Sequence, residues 1–122
     1  MTEKANNKPK YDLEDRTFQF AKSVRMIIKT LPKTLANIED SRQVIKSSGS
    51  VGANYIEANE ALSKKDFLMR VKISRKEAKE TTYWLRLINE TNELENKNEL
   101  EKLIQESIEL KKIFSAIIEK SK

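Results

Sequence analysis

The 122-residue chain contains neither cysteine nor histidine. Without cysteine there is no disulfide framework and no thiolate metal site, which suits a reducing compartment. Without histidine the most versatile acid, base and metal ligand is missing, and no Gly-rich loop follows a strand to cradle phosphate. Glu57, Glu60, Glu77 and Glu80 invite comparison with carboxylate-bridged di-iron bundles, but those sites need Glu-x-x-His motifs that this chain lacks. These glutamates are expected to pair with Arg or Lys at the bundle surface or between subunits. The expectation is a protein with no enzymatic activity, metal or cofactor. Residues 1–10 hold no apolar segment of the signal-peptide kind, and no later run approaches membrane-spanning length, so a soluble, cytoplasmic protein is expected.

Proline and glycine are equally scarce, two of each, and aromatic residues are few. What remains is rich in Lys, Glu, Leu and Ile, with 35% charged residues, a composition that favours long helices over strands. A hydrophobic content of 38% in a chain of this length fits a single core. The fold class is all-α, with a polar tail over residues 1–11 and one helical domain over residues 12–122.

Both glycines, Gly49 and Gly52, fall inside one helical pattern. Val44, Ser48, Val51, Tyr55 and Leu62 share a face of that helix, and Ser48/Gly52 and Gly49/Ala53 form small-x-x-x-small pairs beside it. A mid-helix glycine costs about 1 kcal/mol relative to alanine, so the pair makes sense where a neighbouring backbone packs closely. Ser48, Gly49, Gly52, Ala53 and Asn54 are therefore the candidate helix-packing residues.

Asp12 is a plausible helix start, and Phe20, Val24, Ile27, Ile28 and Leu31 repeat at helical spacing until Pro32. Ser41 is a reasonable cap for a second helix ending near Leu62, although its start can lie a turn or more earlier. Ser63-Lys64-Lys65-Asp66 resembles a capping box opening a third helix that reaches Asn92. On it Phe67, Val71, Ser74, Ala78, Thr81, Leu85 and Ile88 make a core stripe. After an Asn/Glu-rich turn at 92–98, the residues Leu100, Leu103, Ile104, Ser107, Phe114, Ile117 and Ile118 form a fourth helix. Short connections imply an antiparallel, up-down-up-down four-helix bundle.

Helix three carries two further features. Met69, Ile73, Trp84 and Leu87 form a second apolar side, either buried in a wide bundle or facing another subunit. Residues 63–88 hold eight Lys/Arg against three Asp/Glu, giving +5, which equals the net charge of the whole chain. Lys64, Lys65, Lys72, Arg75, Lys76, Lys79 and Arg86 project within about 120°, as a stripe roughly 30 Å long, with Arg70 outside it. Such a stripe either tracks a phosphate backbone or is a solvated helix face. The first alternative makes the chain an oligomeric RNA- or DNA-binding module; the second leaves a scaffolding oligomer whose basic face meets an acidic protein. Salt separates them, because phosphate binding weakens steeply and log-linearly with salt.

Ser50-Val51-Gly52-Ala53-Asn54-Tyr55-Ile56-Glu57, then Ser63-Lys64-Lys65-Asp66-Phe67, then Ile73, Ser74, Glu80 and Thr81, give the chain a family likeness over roughly residues 12–118. It resembles the four-helix-bundle family named after proteins encoded by intervening sequences in bacterial 23S ribosomal RNA genes, whose members carry a Ser-Ile-Pro-Ala-Asn segment and a following Glu. Gly52 stands where many members have proline, and Ala58 where many have glycine. The resemblance implies a homopentamer of antiparallel bundles and no known enzymatic activity. A related group, the accessory variability proteins of diversity-generating retroelements, forms basic pentamers that bind nucleic acid and a reverse transcriptase, which makes those two classes the implied partners.

Overall fold

A computed structural model describes residues 9–122, with side chains from Leu13 onward, so most of the expected tail lies outside the described residues. All regular structure among these residues is helical: α1 (Pro9–Ile28), α2 (Leu35–Asn59), α3 (Lys64–Glu90) and α4 (Lys97–Lys120). The four pack as a bundle in which α1 meets α2, α2 meets α3, α3 meets α4 and α4 meets α1, while the diagonal pairs stay apart. No described helix is long and apolar enough to cross a membrane.

The helix ends correct several sequence expectations. α1 is already helical at Pro9, before the Asp12 start expected from the sequence. α2 begins at Leu35, well before Ser41, because Thr34 is extended and its Oγ1 accepts the Asn37 N–H at 3.1 Å. It ends at Asn59, so Leu62 lies beyond the helix and is 97% exposed rather than on the core face. α3 starts as expected, with Ser63 Oγ accepting the Asp66 N–H at 3.1 Å, and stops at Glu90 rather than Asn92.

The core takes its residues from all four helices, among them Phe20 and Val24 of α1, Val44 and Tyr55 of α2, Leu85 and Ile88 of α3, and Leu110 and Phe114 of α4. Between α2 and α3 the contact is lined by small polar residues. The Ser74 hydroxyl donates to the Val51 carbonyl at 2.9 Å, and the Thr81 hydroxyl donates to Ser47 Oγ at 2.8 Å. Short hydroxyl side chains let the helices approach while satisfying their own polar atoms, and no buried side-chain N or O among the described residues lacks a partner.

Gly52 is buried where α1 crosses α2: a Cβ there would stand 2.8 Å from Thr17 Oγ1 and 3.1 Å from Thr17 Cβ. Gly49 is different. Its Cβ would meet only the Arg25 guanidinium, at 3.3 Å, which lies across α2 and donates to the Ile45 carbonyl at 3.4 Å. Ser48 is buried, its hydroxyl donating to the Ile45 carbonyl within α2 at 3.3 Å. Ala53 is exposed on the outer side of α2, where it lines a groove shared with α1. Asn54 is half-buried and links helices through its side chain, its Oδ1 accepting Arg70 Nη1–H at 3.0 Å.

Candidate functional site

The Ser63 cap fixes the register of α3, and the register decides what faces outward. Val71, Ser74, Ala78, Thr81, Leu85 and Ile88 are buried. The basic residues therefore fall on the outer arc: Lys64, Lys65, Lys72, Lys76, Lys79 and Arg86 are exposed, and Arg75 is half-buried. Two of the seven have acidic neighbours, Lys76 with Glu77 Oε2 at 3.9 Å and Arg86 with Glu90 Oε2 at 3.5 Å. Among the described residues the other five have no ion-pair partner. Glu90 shares the angular position of Lys72, so the stripe runs free of acid from Lys64 to Arg86 and is closed by Glu90. Arg70, outside the stripe, is taken up by Asn54 and holds α3 to α2.

The second apolar side of α3 is partly absorbed by the bundle. Met69 is 49% exposed, whereas Ile73, Trp84 and Leu87 are half-buried, and Trp84 packs in part against the core. Trp84 Nε1–H donates to Glu80 Oε2 at 3.4 Å, and the Tyr83 ring meets the indole edge to face, with centroids 5.0 Å apart.

A larger apolar surplus lies elsewhere and escaped the sequence reading. On the outer side of α1 and α2 a groove of about 600 Å³ has Ala21, Gly49 and Ala53 in its lining and Phe18, Met26 and Ile56 as its large apolar side chains. All three of these are exposed, Phe18 by 63%. Lys22, Arg25 and Lys29 also line it, against a single acid, Glu14. The signal was present: Phe18 and Met26 are off the arc of Phe20, Val24, Ile27 and Leu31, as Met69 and Trp84 are off the core arc of α3.

Residues 10–116 match the family described as 23S rRNA-intervening sequence protein. The chain belongs to that family. Among solved structures, this member of the intervening-sequence family is similar to a protein of unknown function from Bacteroides thetaiotaomicron, assigned to the S23 ribosomal protein family and determined at 1.70 Å resolution. The two share 31% identity with a TM-score of 0.74, over 86% of this chain and 96% of the other. No curated protein matches the chain.

For this intervening-sequence protein the four glutamates singled out in the sequence do not converge. Glu57, Glu60 and Glu80 are exposed, and no group of three Asp or Glu among the described residues is arranged to hold a metal ion. Glu77 is half-buried. Burial pushes its carboxyl above the ordinary value of 4.5, Glu80 pushes the same way, and Lys76 and Lys46 pull it back less. A carboxyl with a raised value in the folded state holds its proton more tightly there than in the unfolded chain. Its ionisation therefore costs stability, a cost absent below 4.5 and complete above the folded value. Glu77→Gln should accordingly raise the melting temperature slightly at neutral pH and leave it unchanged in acid below 4.5. Thermal melts of both proteins across pH measure this, and a lower neutral melting temperature for the variant would show that the pairing with Lys76 and Lys46 outweighs burial.

Proposed function

We propose a cytoplasmic, non-enzymatic helical-bundle protein that assembles with copies of itself and binds RNA or DNA through the basic face of α3. The observation that carries the reading is a run of exposed cations, Lys64, Lys65, Lys72 and Lys79 with half-buried Arg75 beside them, none ion-paired among the described residues. A face kept only for solubility usually mixes both signs, and a run of one sign creates a field that attracts polyanions and releases their counterions on contact. The family description and the S23 ribosomal assignment of the similar structure make RNA the first ligand to test.

The bundle is proposed to be antiparallel, up-down-up-down. Supporting this, contacts pair rising with falling numbers: Thr81 with Ser47 and Arg70 with Asn54 across α2 and α3, Asn89 with Lys97 and Thr82 with Ser107 across α3 and α4. The homopentamer implied by the family likeness is proposed as its assembly. We assign the contact between copies to two different surfaces, the Met69/Trp84 ridge of one and the α1/α2 groove of the next. On the Trp84 side charge suits that match, since Glu80 lies among the ridge residues and Glu77 beyond Trp84 while Lys22, Arg25 and Lys29 line the groove; the Met69 side of the ridge borders the basic arc at Lys76. A contact between unlike surfaces generates rings when the rotation closes.

Replacing Arg75, Lys76 and Lys79 together by Gln tests the binding site. Glutamine is a good helix former and none of the three belongs to the core, so the circular dichroism and melting temperature should hold. RNA affinity, followed by fluorescence anisotropy, should fall for all sequences alike. The slope of log affinity against log salt should flatten by about 0.7 to 0.9 for each phosphate that is no longer neutralised. A folded triple mutant with unchanged affinity and slope would transfer the assignment to the second reading, a scaffolding oligomer whose basic face meets an acidic protein.

A further inference from the structure

The geometry points to Tyr83 as a stacking platform for an unpaired base, making the ligand of the α3 face single-stranded RNA or DNA rather than a duplex. This rests on the reading of that face as a phosphate-binding surface and names which nucleic acid it takes.

Tyr83 stands inside the cationic arc. It shares the angular position of Lys65, and Lys79 and Arg86 lie one helical turn to either side of it, both exposed. The residue is 58% exposed and lies outside the core cluster, so core packing does not account for an aromatic ring at this position. Nor is the ring free to wander. It meets Trp84 edge to face at an interplanar angle of 79°, and Trp84 is anchored by the core and by its hydrogen bond to Glu80. A ring already held in place loses less freedom when a ligand lies on it.

An exposed ring between two cations offers two things at once: a π-face for a base and charges for the phosphates on either side of that base. In a duplex the bases are stacked on one another and their faces are not available, whereas single strands, loops and bulges can turn a base out. Stacking accepts any base, so the preference is for strandedness and not for sequence. The basic arc and the apolar ridge occupy successive arcs of α3, with Tyr83 on the basic side, so the site is compatible with the assembly proposed above.

The test compares Tyr83→Leu and Tyr83→Phe with the unmodified, assembled protein, using an oligothymidylate or oligouridylate and a duplex of equal length as probes. Tyr83→Leu should weaken single-strand binding about 5- to 150-fold, the range for removing one base–aromatic stack, and leave duplex binding unchanged. Tyr83→Phe, which keeps the ring, should bind as the unmodified protein does. Trp84 is the only tryptophan, so its emission should change on adding single strands to the unmodified protein. If Tyr83→Leu binds single strands normally while the Arg75/Lys76/Lys79 variant does not, stacking is overturned and phosphate binding stands. If Tyr83→Leu weakens single-strand and duplex binding equally, stacking is likewise overturned. If the unmodified protein binds neither probe, the phosphate-binding reading falls and this one with it.

Discussion

Gly52→Leu should lower the melting temperature by roughly 5 to 15 °C, or prevent folding, as overpacking by about 1 to 3 kcal/mol would in a domain of this size. The position has no room: its Cβ alone would stand 2.8 Å from Thr17 Oγ1 and 3.1 Å from Thr17 Cβ. Those atoms cannot swing away cheaply, because the Thr17 hydroxyl is bonded to the Glu14 carbonyl at 2.9 Å and the residue is buried. α1 would have to lift off α2. Gly49→Ala supplies the control, since its Cβ meets only the mobile end of Arg25 at 3.3 Å. There the helix propensity of alanine, worth up to about 1 kcal/mol, should appear as unchanged or raised stability. Adding Thr17→Ala to Gly52→Ala should restore part of the stability by removing the nearer of the two obstructing atoms. Equal melting temperatures for the Gly49→Ala and Gly52→Ala proteins would show that α1 adjusts more easily than its packing indicates.

The second large effect concerns assembly. Light scattering of the unmodified protein should report a mass near five chains, and Trp84→Glu should reduce it by placing a charge in a desolvated contact. Because the chain has no cysteine, introduced thiols report on one contact without background. Phe18→Cys and Met69→Cys proteins, mixed and oxidised, should form a disulfide between the two kinds of chain if ridge meets groove. Cross-linking only within the Phe18→Cys protein would indicate a two-fold contact of groove with groove. A monomer at all concentrations would end the assembly proposal altogether.

Much of α3 was legible because local and long-range signals agree there: a Ser cap, an acid at the third position, and a core stripe of seven whose last six members are buried, the first, Phe67, being half-buried. α2 was harder to read at both ends. Its first turns carry Leu35 and Ile38, which are exposed, so apolar spacing gave no guide to the start. Leu62 fits the spacing of Tyr55, but the chain has left the helix before reaching it. Asn37, buried near the start of α2, forms an amide pair with half-buried Asn92, its Nδ2 donating to Asn92 Oδ1 at 2.8 Å while Asn92 Nδ2 returns a bond at 2.9 Å. That contact joins residues far apart in sequence and leaves no local mark. The basic stripe was visible as an arc, whereas the aromatic ring within it and the cation-lined groove on α1 and α2 needed the exposures of individual side chains.

The order in which the helices touch also bears on how the molecule forms. Every contact between helices joins neighbours along the chain except that of α1 with α4. Three successive helix pairs can thus form from nearby segments, with little loop entropy to overcome, which favours fast folding. Only the closing seam brings distant segments together. It is the least extensive of the four and is held by the paired hydrogen bonds of Arg16 to Glu106, at 2.7 and 2.8 Å, and by Asn96 to Thr30 at 3.1 Å. Closure of this seam, which joins the most distant segments, is the contact expected to form last, so substitutions at Arg16 or Glu106 should speed unfolding more than they slow folding.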